Sequence, residues 1–133
     1  LIDVYQLPIT GLEENVADQF ASLMLSYTYD ENTGDYSIGQ DMLYDVGTWF
    51  WISDELYYDN PEDYAFWSTH NLDIQRFYNI SCYAYGSDPQ YNQDLVDEGW
   101  LPEDRAYWCE DEYLAMQNGW SNLLKDFDND FFD

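Results

Sequence analysis

The sequence predicts a mainly α-helical single domain, and three observations carry that reading. Apolar residues recur at helical spacing in several long runs, no alternating strand pattern extends beyond a few residues, and 133 residues suffice for one core. High net charge is a mark of disordered chains, but those are poor in aromatics, whereas Phe, Trp and Tyr make up 20% of this one. The expectation is a folded domain over residues 1–127 followed by an acidic tail, 128–133.

The elements follow in order. Residues 1–7 are a short apolar-rich stretch halted by Pro8, and Ile9, Thr10 and Gly11 make a turn in which Thr10 can cap a helix. Val16, Phe20, Leu23, Met24 and Tyr27 then mark a helix over 12–29. A polar loop, 30–35, ends it. A second, unusually aromatic helix covers 37–56, with Trp49, Phe50 and Trp51 at its centre; adjacent rings point in different directions, so most belong to the core. An acidic loop containing proline covers 57–69. A third helix covers 71–85 and stops at Gly86, a short one covers 89–98 and closes at Gly99, and two more cover 102–108 and 110–127.

Composition narrows function. Three basic residues, Arg76, Arg105 and Lys125, face 28 acids, which gives a formal charge of −25. Phosphate contacts need clustered Lys and Arg, so nucleic acid and anionic membrane surfaces are excluded as partners. No run reaches the roughly 18 apolar residues of a membrane-spanning helix, so insertion is not expected. The acidity itself fits adaptation to high salt, where screening relieves self-repulsion. It also fits cation binding, although the 30–35 loop places Gly34 one position early for an EF-hand and Asp126, Asp128 and Asp130 lack a following glycine. A third fit is a non-catalytic acidic interaction module that imitates DNA.

Cys82 and Cys109 are the only cysteines. A disulfide and a pair of buried free thiols both remain open on this count, and nothing resembles a zinc knuckle, with one His and no CxxC. Glu14 and Asp18 stand four apart, so a helix puts both on one face, about 6 Å apart along its axis. Like charges so placed repel by a few tenths of a kcal/mol. The pair has the ExxxD spacing that in gluzincin-type zinc peptidases supplies a glutamate ligand and, one turn on, an aspartate that orients a ligand histidine, but among 28 acids the same spacing also arises by chance.

The downstream blocks add specificity. His70-Asn-Leu-Asp-Ile-Gln-Arg-Phe-Tyr-Asn-Ile-Ser-Cys82 leads into Tyr85-Gly-Ser-Asp-Pro89, then Gly99-Trp-Leu-Pro-Glu-Asp-Arg-Ala106, Cys109, Glu112-Tyr113 and Trp120-Ser-Asn-Leu-Leu124. In this order they resemble a bacterial metallopeptidase family of the zincin clan, gluzincin-like and formerly catalogued as a domain of unknown function. The resemblance runs from Leu1 to about Leu124, and the Gly11-to-Gln19 block matches the family's Gly-x-Glu-Glu-x-x-Ala-Asp-Gln.

That resemblance implies the C-terminal helical portion of a zincin-like domain. It implies Glu14 as third zinc ligand, with Glu13 the alternative, and Asp18 behind a ligand histidine. His70 becomes a candidate for stabilising the oxyanion, with Tyr78 a weaker one; otherwise His70 is a helix-entry residue bonding nearby backbone or carboxylate. The matching cysteines imply a Cys82–Cys109 disulfide and an exported protein, periplasmic or extracellular. Zinc would activate water for attack on a peptide or protein substrate. The chain has no HExxH, so the two His ligands and catalytic Glu are expected upstream of Leu1, and the 133 residues alone are expected to be inactive. Arg76 reads as a structural ion-pair hub. The rival readings are the acidic interaction module and a metal-free pseudopeptidase.

Overall fold

The computed structural model describes residues 2–127; the acidic tail lies outside them, as do Asp128 and Asp130. Among the described residues the elements are all helical: α1 (Ile2–Tyr5), α2 (Glu13–Ser26), α3 (Ser37–Tyr57), a 3-10 turn (Pro61–Asp63), α4 (Asp73–Ser87), α5 (Asp94–Asp97), α6 (Glu103–Ala106) and α7 (Cys109–Leu124). The mainly α expectation holds, and one isolated bridge, Asp30 to Asp35, closes the loop between α2 and α3.

Helix α4 is the centre of the packing, with α2, α3 and α7 all laid against it. Its two apolar flanks serve two core clusters. Phe77, Ile80 and Ala84 join Leu43 and Phe50 of α3, together with Leu95, Leu101 and Ala106. Tyr83 joins Leu23 of α2 and Tyr113, Met116, Trp120 and Leu124 of α7, with Leu7 closing the end. The Cys82–Cys109 disulfide links α4 to the start of α7.

Two glycines set how closely these helices approach. A Cβ on Gly39 would stand 2.0 Å from the Leu25 carbonyl oxygen, and one on Gly86 would stand 2.2 Å from that of Cys109. Gly86 therefore lies inside α4, which continues to Ser87, and its role is close contact with α7; it does not stop the helix. Thr10 also differs from its expected role: α2 begins after Leu12, with no side-chain cap, and its first turn carries Glu13 and Glu14, which complement the helix dipole. The segment 89–98 is helical only over Asp94–Asp97. Of the three central aromatics of α3, Phe50 is buried, Trp51 half-buried and Trp49 exposed.

Candidate functional site

The first turn of α2 meets the segment that enters α4. Glu14, on α2, accepts hydrogen bonds at Oε1 from the backbone N–H of Asn71 and at Oε2 from Nδ1 of His70, the latter at 2.5 Å. Asn71 also donates from its side-chain amide to Oδ1 of the Asn15 side chain. The Glu14 side chain is 18% exposed and that of His70 is 78% exposed, so the carboxylate sits at the floor of the junction and the imidazole at its rim. The His70 hydrogen bond is the main cause that holds the Glu14 carboxyl below its ordinary range, with the Asn71 N–H adding to it and burial opposing. Glu14 is thus an anion at neutral pH. Glu13 beside it is exposed.

One turn further along α2, Asp18 takes a two-pronged contact from Arg76 of α4, Nε to Oδ2 and Nη2 to Oδ1, each at 2.7 Å. The Arg76 guanidinium also lies over the Phe50 ring, 4.0 Å from its centroid. Both Asp18 oxygens are therefore engaged by arginine, each with a further lone pair for a second donor. Tyr78 is half-buried and packs its ring against Phe77, centroids 5.1 Å apart.

A cleft of about 380 Å³ opens beside Asn71 and continues along α4 past Gln75, Tyr78 and Asn79 to Arg105. Arg105 is itself held by Glu112, Nη1 to Oε1 at 2.6 Å and Nη2 to Oε2 at 2.8 Å. A larger cleft, about 510 Å³, lies between α2 and α7 and is walled by Val16, Met116, Trp120 and Leu123.

Glu14, Asp18, His70 and Arg76 thus gather at one face of the α2–α4 contact, while the Cys82–Cys109 bond lies along α4 toward α7. Sequence reasoning did not assign a role to Asn71, whose backbone N–H fixes Glu14. Its only signal was adjacency to His70.

A catalytic zinc takes three protein ligands. Among the described residues no group of three or more His, Cys, Asp or Glu is arranged to hold a metal ion. Glu14 and His70 offer two donors that already bond each other. The donor set on these residues does not by itself fit a catalytic zinc.

Comparison with known families gives this all-helical chain its class. Residues 1–124 match a family model described as "Putative metallopeptidase", and the chain belongs to that family. No curated protein and no solved structure matches it.

Proposed function

We propose that this chain is part of a zinc-dependent peptidase that hydrolyses bonds in a peptide or protein substrate. Family membership across residues 1–124 carries the reading. Glu14 is the metal ligand in it, Glu13 being the alternative, and Asp18 orients a ligand histidine. His70 is the group that meets the oxyanion. The two histidine ligands come from a HExxH helix outside these 133 residues.

The state of Glu14 supports this role. Its carboxyl is held ionised, it is anchored on helical backbone at the α2 start, and its partner His70 is exposed enough to turn aside for a cation. The disulfide, which persists in oxidising compartments, supports an exported protein.

The coding sequence preceding Leu1 is the first test, and a HExxH shortly before Leu1 is expected. The longer protein should then hold about one zinc per chain by atomic emission. Glu14→Ala should release it and Glu13→Ala should retain it. Absence of an encoded HExxH overturns the zinc-peptidase reading and leaves the metal-free pseudopeptidase or the acidic interaction module, whereas full zinc in the Glu14→Ala protein removes Glu14 from the ligand set.

A further inference from the structure

Helix α3 carries a second apolar face that the core does not use. Its inner side buries Gly39, Leu43, Gly47, Phe50 and Asp54. On the opposite side Ile38, Met42, Trp49, Ile52 and Leu56 are 41, 44, 62, 49 and 71% exposed. At 100° per residue these five fall within about 40° of one line. The line spans 18 residues, about 27 Å at 1.5 Å each. Single exposed apolar residues are ordinary on a protein surface, but five aligned along one helix face mark an interaction surface.

The spacing names the shape of what covers it. Positions 38, 42, 45, 49, 52 and 56 alternate steps of four and three, the seam of a helix that packs knobs into holes against another helix. Five of the six are apolar, and the sixth is Asp45, which is exposed. A carboxylate inside such a seam fixes register and asks for a cation opposite. The surroundings ask for the same. Residues 37–57 contain Asp41, Asp45, Asp54 and Glu55 and no Lys, Arg or His, and exposed Asp59, Glu62 and Asp63 follow. A second copy would set this acidic helix against itself, with Asp45 facing Asp45 in a parallel pair, and each copy bears −25 overall.

We propose that the outer face of α3 docks an amphipathic helix of a separate, basic protein, with Lys or Arg flanking an apolar seam and one cation placed against Asp45. The site is independent of the peptidase reading, because α3 contributes none of Glu14, Asp18 or His70.

The probe is a labelled synthetic helix of three heptads with Leu at its seam positions, Lys elsewhere and one seam Lys to meet Asp45. A scrambled peptide of the same composition controls for charge alone. Fluorescence anisotropy with the 133-residue protein should show at least about tenfold tighter binding of the patterned peptide. The preference should persist at about 0.5 M NaCl, where simple charge attraction is screened. Trp49→Ala with Ile52→Ala, both outward-facing, should lose about tenfold while circular dichroism stays unchanged. Asp45→Leu should weaken the peptide bearing the seam Lys and favour one with Leu there. Equal binding of patterned and scrambled peptides overturns the proposal. So does a concentration-dependent dimer, seen by sedimentation, that the Trp49/Ile52 variant abolishes, since the occupant is then a second copy.

Discussion

Arg76 binds Asp18 through two nitrogens at 2.7 Å each while its guanidinium rests 4.0 Å from the Phe50 ring centroid. One side chain of α4 thereby fastens α2 and α3 together. The two partners are 24% and 18% exposed, so truncation strands a charge that water reaches only in part. Arg76→Ala is expected to cost about 2–3 kcal/mol in urea unfolding. Arg76→Lys should recover only part of it, since lysine keeps the charge but loses the fork and the stacking.

Removing the disulfide acts on the unfolded chain. Cys82 and Cys109 are 27 residues apart, and opening a loop of that size costs about 3–4 kcal/mol. Double replacement by Ala should lower the denaturant midpoint, and the same drop should follow when the native protein is reduced. Equal midpoints before and after reduction would refute it.

Gly86→Ala should be among the most damaging small substitutions. The new methyl would meet the Cys109 carbonyl carbon at 2.7 Å and the Tyr113 Cβ at 2.9 Å, and neither backbone nor Cβ can swing away. Helices α4 and α7 must part, at an expected cost of about 3 kcal/mol, the upper range of overpacking. Gly119→Ala, with nothing within 4 Å, is the control and should be neutral or slightly stabilising.

Alkaline pH should loosen the core through Tyr83 and Tyr113. Burial is the chief cause that raises both phenols above the ordinary value near 10. The folded state then keeps protons that the unfolded state has released, so stability is full below about pH 10 and declines as pH climbs above it. Absorbance titration of the folded protein should show these two phenols ionising above the ordinary tyrosine value, together with loss of helical circular dichroism.

Salt should stabilise the protein. The formal charge of −25 repels itself within one small domain, and raising salt from about 0.1 M to 1 M shortens the screening length from about 10 Å to 3 Å. The melting temperature is expected to rise over this range; a fall would show that the Asp18–Arg76 and Glu112–Arg105 pairs outweigh the repulsion.

The four long helices were legible because each repeats its apolar residues at helical period over at least 14 residues. The short ones were less so. Ile2–Tyr5 was expected only as an apolar stretch, and 89–98 shrank to Asp94–Asp97, since one turn of helix leaves little periodicity to detect. Gly86 misled because a glycine late in a helix resembles a terminator, and only the approach of α7 explains it. The site residues could be named from spacing and resemblance, but their pairing could not. Glu14 and His70 are separated by 56 positions, and Asp18 and Arg76 by 58; what joins them is the crossing of α2 and α4, which neither spacing encodes.

The single disulfide ties α4 to α7, whereas α2 and α3 are held against that pair by packing, hydrogen bonds and the Asp18–Arg76 ion pair. The molecule is therefore welded on one side and clipped on the other. Thermal fluctuations that lift the clipped half carry Glu14 away from His70 and Asn71, so amide hydrogens of α2 should exchange with solvent sooner than those of α4.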